Sequence, residues 1–184
     1  NIATFDVPDE VDQRVLPHQL SRVFHRRGAL GVFLADAHKP HARILDADRS
    51  SAKRLNGHGN AIAQCYNHAI MPLASRRDQE TQIRWGIHDF ERRFGRASEG
   101  IWLPETAINA AVLEILVEFA FRFIVLSPHQ ALRVRSLDDA SHWKDVSKGT
   151  IPAGFPYRCF APGAKGKRDS KRFIDVFFYD GAAS

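Results

Sequence analysis

The sequence predicts an α/β fold, a partial β/α barrel in which parallel strands alternate with helices. The first observation is a strand, an amphipathic helix and a second strand within 100–126, with Gly100–Leu103 and Phe123–Leu126 as the strands. Such a unit places its two strands in parallel. The second observation is the nearly continuous run of large apolar side chains in 173–179. That run is typical of a strand covered on both faces in a parallel sheet.

The length of the chain limits how much of a barrel it can form. With 184 residues, 44% of them hydrophobic, it can bury one substantial core and is expected to be a single domain. A complete eight-unit barrel usually needs about 250 residues. We therefore expect a partial barrel or a segment of a longer protein. The ends agree with this expectation, since the chain begins at Asn1 rather than Met and stops five residues after Tyr179. Residues 1–56 carry the weakest signals and 57–184 the most specific ones.

Four segments have the apolar spacing of helices. The clearest is 77–94, which has one apolar stripe along its length. Gly95 follows it as a C-cap. The others are 11–26, 109–123 and the mostly exposed 41–55, whose apolar contacts are expected to be Ile44 and Leu45 and whose stop is Gly57. A short strand is predicted at 31–34. The stripe of the clearest helix consists of Ile83, Ile87, Phe90 and Phe94.

Four polar side chains recur in the otherwise apolar stretch 60–68. Buried polar groups need hydrogen-bond partners. The cluster is therefore either an internal hydrogen-bond network or the wall of a polar pocket. Its members are Asn60, Gln64, Asn67 and His68.

The charge of the chain does not favour a nucleic-acid partner. Lysine and arginine number 26 against 21 acidic residues, a net charge of +5. A net positive charge is one mark of nucleic-acid binding. The only basic run is 165–172, however, and the glycine-containing segment before it predicts an exposed loop.

Cysteine usage and hydropathy favour the cytoplasm. Cys65 and Cys159 are far apart and belong to no C-x-x-C pair, so two free thiols in a reducing compartment are expected. Charged side chains interrupt the longest apolar stretch at Glu114, Glu118 and Arg122, so no membrane span is expected.

Two acids follow predicted strands. Glu105 comes just after 100–103, and Asp180 ends the apolar run 173–179. The C-terminal ends of parallel strands are where barrels and open α/β sheets carry their catalytic residues. A pair of carboxylates is also the minimum equipment for glycoside cleavage. The structural alternatives are a helix N-terminal acid for Glu105 and an ordinary Asp-Gly turn for Asp180.

Several motifs together resemble glycoside hydrolase family 57, and in particular its poorly characterised bacterial branch. They occur in the expected order over roughly two thirds of the chain, and ordered agreement is more specific than any one motif. The motifs are Gly57–Gln64, Tyr66–His68, Met71–Leu73, Arg84–Ile87, Phe94–Arg96, Gly100–Glu105 and Phe177–Gly181.

The resemblance implies a seven-stranded β/α barrel related to polysaccharide deacetylases. It also implies retaining chemistry on α-linked oligo- or polysaccharides, with no metal or cofactor. Glu105 matches the family's nucleophile and Asp180 its general acid/base. His68 matches a histidine that lines the sugar site, and Trp102 either offers a face to a sugar ring or, as we favour, packs in the core. Contacts to sugar hydroxyls are implied for His58 and Asn60.

Departures from the family pattern keep two other functions open. The histidine motif of the first strand is not found, since His18 and His25 lie in a helical pattern, and Asn60 stands where many members carry a glutamate. One alternative is a catalytically inactive carbohydrate-binding or interaction domain. The other is a metal-dependent deacetylase with His58 and His68 as ligands, although a third ligand at suitable spacing is not evident. The sequence does not distinguish hydrolysis from transglycosylation.

Overall fold

A computed structural model describes residues 3–6, 38–138, 141–162 and 168–180. These residues divide into two compact units, one made of 3–6 and 62–180 and the other of 38–61. The helix predicted at 11–26 and the strand predicted at 31–34 lie outside the described residues. That the whole chain is a single domain stays a prediction.

The first unit contains a mixed sheet of eight described strands. Their order across the sheet is β2-β3-β4-β8-β7-β1-β5-β6. Four neighbours, β2, β3, β4 and β8, run parallel to one another. The strands are β1 (Ala3–Asp6), β2 (Ala63–Gln64), β3 (Gly100–Trp102), β4 (Phe123–Leu126), β5 (Arg133–Ser136), β6 (Lys144–Asp145), β7 (Tyr157–Pro162) and β8 (Arg168–Phe178).

The parallel half of the sheet confirms the predicted α/β class, and β3 and β4 form the predicted parallel pair. The other half departs from a regular alternation of strand and helix. Strand β7 pairs antiparallel with β8, and β5 pairs antiparallel with β1 and β6. No described α-helix separates β5, β6, β7 and β8 along the chain. The short connections from β5 to β6 and from β7 to β8 allow antiparallel pairing, whereas a parallel pair needs a long crossover. Strand β1 pairs parallel with β7.

Two helices belong to the first unit, α2 (Arg76–Phe94) and α3 (Ala110–Glu118), after α1 (His38–Arg54) of the second unit. The side chain of Ser75 caps α2 by accepting from the backbone N–H of Asp78, and Gly95 ends it with a φ of 68°. Helix α2 and its glycine C-cap are thus confirmed. Helix α3 ends earlier than predicted, because Phe123 pairs with Gly100 at the start of β4.

Helix α3 packs on β7 and β8 and covers one face of the sheet. The covered side chains are fully or almost fully buried, and they alternate with side chains on the opposite face. Phe177, on that opposite face, is 43% exposed. The expectation that the strand 173–179 is covered on both faces is therefore wrong. The buried set is Ile101, Ile124, Leu126, Ile174, Val176 and Phe178.

The basic run 165–172 differs from the predicted exposed loop. Residues 168–172 belong to β8, while 163–167 lie outside the described residues. Part of this charge therefore lies on a strand. None of the described helices is long and apolar enough to cross a membrane.

The second unit consists of α1 and the segment that follows it. Helix α1 confirms the predicted 41–55 helix, but Ile44 is 55% exposed and is not the apolar contact expected. The buried side chains are polar. Asp48 Oδ1 accepts from the backbone N–H of Ala61 at 2.8 Å, and Ser51 Oγ accepts from that of Asn60 at 2.9 Å. Two polar side chains therefore hold the returning segment against the helix.

Candidate functional site

The four parallel strands end at one edge of the sheet, and the two predicted catalytic acids lie at that edge. Ile101 of β3 is paired with Ile124 of β4, which is in turn paired with Val176 of β8. Glu105 and Asp180 each lie four residues beyond this row. The strands that they follow, β3 and β8, are separated by β4, so the axes of those strands lie two strand spacings, or about 10 Å, apart. The register thus supports the predicted placement of both acids at one edge.

Glu105 lies in a strained 3₁₀ turn, Pro104–Thr106, directly after β3. Its φ is 51° and that of Thr106 is 54°, both in the left-handed region that non-glycine residues seldom adopt. Each such residue costs on the order of 1 kcal/mol or more. Because α3 begins only at Ala110, Glu105 is not in the first turn of that helix, and the helix-terminus alternative is wrong.

Hydrogen bonds to neighbouring backbone hold this turn. The backbone N–H of Thr106 donates to the carbonyl of Leu103 at 2.9 Å. The Thr106 hydroxyl, which is buried, accepts from the backbone N–H of Ser127 at 3.2 Å. Ser127 follows β4, so the turn is tied to the neighbouring strand. Strained backbone that its surroundings hold in place is a frequent property of active sites.

His68 is the partner of Glu105. Its Nε2 lies 3.1 Å from Oε1, which it hydrogen-bonds, and 3.0 Å from Oε2. The second approach lacks hydrogen-bond geometry, so Oε2 is buried with no hydrogen bond in the described part of the chain. The glutamate side chain is 14% exposed and that of His68 is 57% exposed. A mostly buried carboxylate thus has one unsatisfied oxygen and one solvent-facing polar neighbour.

The segment that carries His68 is fixed to α2. The backbone N–H of Tyr66 donates to the carbonyl of Gln82 at 3.2 Å, and that of Asn67 donates to Gln82 Oε1 at 2.7 Å. Gly86 lets the helix approach β2, because a Cβ there would lie 2.0 Å from the carbonyl oxygen of Gln64. The position of His68 against Glu105 therefore depends on this close packing.

Asp180 is exposed and follows β8. The backbone N–H of Tyr179 donates to the carbonyl of Leu126 at 3.1 Å, which extends the pairing with β4 by one residue. Asp180 is thus the first residue past that pairing. Gly181 lies outside the described residues, so the alternative of an Asp-Gly turn is not resolved by the geometry.

Trp102 lies on the face of the sheet opposite α3 and is 38% exposed. The expectation that it packs in the core is therefore wrong. Its neighbours on the same face include Phe123 and Phe177, whose rings meet edge to face at 5.8 Å. This face also carries an ion pair between Arg158 and Asp175 at 2.8 Å. A face with exposed aromatic rings beside a carboxylate turn is suited to binding the apolar faces of sugar rings.

His58 and Asn60 belong to the second unit, and their side chains are exposed. Their predicted contacts to sugar hydroxyls stay predictions. The polar cluster of 60–68 is not a buried network, because all four of its side chains are exposed. The alternative, that the cluster forms the wall of a polar pocket, stays a prediction.

No three histidine, cysteine, aspartate or glutamate side chains of the described residues are grouped so that they could hold a metal ion. One residue next to the acid, Thr106, was not predicted. It had no sequence signal, because its role depends on a bond to the backbone N–H of Ser127, far away in the chain.

Comparison with solved structures supports the fold. The 4-alpha-glucanotransferase of Thermococcus litoralis matches with 22% identity over 80% of this chain and 19% of its own, at a TM-score of 0.50. A GH57-type branching enzyme of Pyrococcus horikoshii matches with 18% identity over 84% of this chain and 26% of its own, at 0.51. The alpha-amylase AmyC of Thermotoga maritima matches with 16% identity over 84% and 25%, at 0.50.

The chain spans about a fifth to a quarter of the length of these enzymes. No curated protein sequence matches it. The model of glycosyl hydrolase family 57 matches residues 23–163, well over half of the chain. The resemblance read from the motifs is thereby confirmed, and the chain belongs to glycosyl hydrolase family 57.

Proposed function

We propose that this chain carries the acid pair of an enzyme that cleaves or transfers glycosyl units of α-linked glucans with retention of configuration. The observation that carries the proposal is the carboxylate of Glu105, which is mostly buried, lies in a strained turn and keeps one oxygen unsatisfied. Family membership supports the glycosidic chemistry. The glucan class is supported by the similar glucanotransferase, branching enzyme and amylase folds.

In the first step the carboxylate of Glu105 attacks the anomeric carbon and forms a glycosyl ester. The glycosidic C–O bond breaks, and its oxygen takes a proton from the carboxylic acid of Asp180. In the second step the carboxylate of Asp180 takes a proton from water or from an acceptor hydroxyl. The oxygen of that water or hydroxyl attacks the anomeric carbon. The ester bond to Glu105 breaks, and its carboxylate is restored.

The proposal requires the two acids to face each other across a sugar. Retaining enzymes hold their two carboxyl groups about 5 Å apart, with the sugar ring between them. Strands whose axes are about 10 Å apart allow that separation when both side chains turn toward a common space. The aromatic face formed by Trp102 and Phe177 lies on one side of the same sheet and offers rings on which a glucosyl unit can lie.

The test is the turnover of short α-1,4-glucans by the full-length protein and its Glu105→Gln variant. We expect new oligosaccharides from the unaltered protein and a loss of at least about a thousandfold in the variant, because the nucleophile is gone. The variant should keep its thermal unfolding temperature. Equal turnover by the two proteins would reject the role of Glu105. No products from either protein, with glucan binding retained, would favour the alternative of an inactive carbohydrate-binding domain.

A further inference from the structure

A shallow pocket of about 330 Å³ opens between α2 and the segment that follows β2. Its size is at the lower end of the range for small-molecule sites. Tyr66 contributes from the segment and the other lining residues from the helix. Those residues are Trp85, His88, Asp89 and Arg92, which lie one above another on a single helical face at spacings of three and four.

Two of the lining side chains are large aromatics that remain open to solvent. Tyr66 is 54% exposed and Trp85 is 51% exposed, and their rings meet edge to face at 5.5 Å. Exposed aromatic rings that lie together, in contrast to single ones, can mark a binding site. An edge-to-face pair leaves ring faces open for a ligand to stack on.

The backbones that carry the aromatic pair are packed closely together. The backbone N–H of Tyr66 is bonded to the carbonyl of Gln82, and Gly86, next to Trp85, packs directly on the backbone of Gln64. Helix and segment therefore present the two rings side by side. A site whose aromatic groups are already in place loses less entropy when a ligand binds.

The rim of the pocket provides hydrogen-bonding groups of both kinds. Asp89 accepts from Arg93 at 2.7 Å, and its carboxylate still lines the pocket. Arg92 makes no ion pair with any described residue, so its guanidinium is available as a donor. His88 adds a ring nitrogen. Aromatic faces with donors and acceptors at their edge match a sugar, which has apolar C–H faces and a ring of hydroxyls.

We propose that this pocket is a second carbohydrate-binding site, additional to the acid pair, that holds a stretch of an α-glucan chain. The choice of an α-glucan as the occupant rests on the proposed function. Tyr66 and His68 belong to one short segment at the C-terminal edge of the parallel strands, so the pocket and the acid pair share that segment. A polysaccharide bound in the pocket would be retained by the enzyme between turnovers.

The test measures the binding of soluble amylose to the full-length Glu105→Gln protein. Affinity gel electrophoresis and calorimetry give the affinity. Adding Trp85→Ala or Tyr66→Ala should weaken binding about tenfold, the loss typical of one aromatic stacking contact. Trp85→Phe keeps an aromatic face and should restore part of the affinity. The matched control is Phe155→Ala, which removes another aromatic side chain that is 58% exposed and should leave binding unchanged.

The outcomes distinguish a second carbohydrate site from a nucleic-acid site and from a surface with no binding role. Unchanged amylose binding in both Trp85→Ala and Tyr66→Ala, with unchanged unfolding temperatures, would overturn the second site. Binding of a single-stranded oligonucleotide but not of amylose would overturn it in favour of a nucleic-acid site. Because binding is measured in a protein without its nucleophile, the second site can be confirmed even if no glucan is turned over, and it can fail while turnover is observed.

Discussion

The imidazole of His68 contacts the carboxylate of Glu105, with Nε2 3.1 Å from Oε1 and 3.0 Å from Oε2. His68 is half exposed while the glutamate is mostly buried. Among the residues that the structure describes, His68 is the polar side chain in contact with this carboxylate, and the orientation of the carboxylate can depend on it.

Replacement of His68 by alanine is expected to lower kcat/KM on α-glucans about ten- to a hundredfold, because a hydrogen bond to a charged group is lost. His68→Gln keeps a donor and should recover part of the loss. Steady-state kinetics of both variants provides the measurement. The control is His142→Ala, an exposed histidine next to β6 that should leave kcat/KM unchanged. Activity of His68→Ala equal to that of the unaltered protein would exclude a positioning role.

Asp180→Asn is expected to slow the cleavage of α-glucans about a hundred- to ten-thousandfold, the usual contribution of a general acid. An aryl glucoside with a very acidic phenol needs no proton on its departing oxygen. For this substrate the formation of the glycosyl ester should therefore be slowed much less. The rate of that step is measured from the initial burst of released phenol. Asp138→Asn, at an exposed carboxylate after β5, serves as the control. An equal loss on both substrates would argue that Asp180 acts through the fold and not as an acid.

Gly86→Ala is expected to lower the free energy of unfolding by about 1–3 kcal/mol, because the added methyl group would overlap the backbone of Gln64. Urea unfolding followed by circular dichroism measures the change. Gly154→Ala is the matched control, since a Cβ there has no neighbour within 4 Å. Equal stability of the two variants would mean that α2 does not depend on its close approach to β2.

Burial raises the pKa of the Cys65 thiol to about 12. At pH 8 only about one thiol in ten thousand is then ionised in the folded protein, whereas an unfolded cysteine with a pKa near 8.5 is partly ionised. Alkylation of Cys65 by iodoacetamide should therefore be slow at pH 8 and become rapid in urea. Mass spectrometry of the peptide that contains Cys65 follows the reaction. Rapid modification without denaturant would contradict the burial of this side chain.

The elements with strong local signals were predictable from the sequence. Helix α2 has a serine N-cap, one apolar stripe and a glycine C-cap, and its observed bounds differ from the predicted ones by one residue. The β3-α3-β4 unit has clear periodicity and was also predicted. Strands β5 and β6 were not, because they are short and rich in charged residues and are defined mainly by their partners across the sheet.

The candidate site was predictable only in part, for a different reason. The position of Glu105 after a strand was visible in the sequence, and the family resemblance supplied its expected role. Its left-handed backbone was not visible, since neither Glu105 nor Thr106 is a glycine. The contact with His68 joins residues far apart in the chain and follows from the parallel pairing of β2 with β3. Such pairings are tertiary and leave no local pattern.

Strands β4 and β8 are hydrogen-bonded neighbours, although β5, β6 and β7 come between them in the chain. The segment that contains β5, β6 and β7 leaves the parallel strands after Leu126, and the chain rejoins them at β8. Because the ladder between β4 and β8 has its own register, insertions or deletions in that segment would leave Asp180 at the end of β8, at the same sheet edge as the turn of Glu105. Relatives of this protein can therefore differ in the length of that segment, and so in the residues around the acids, while the acids keep their positions at the strand ends.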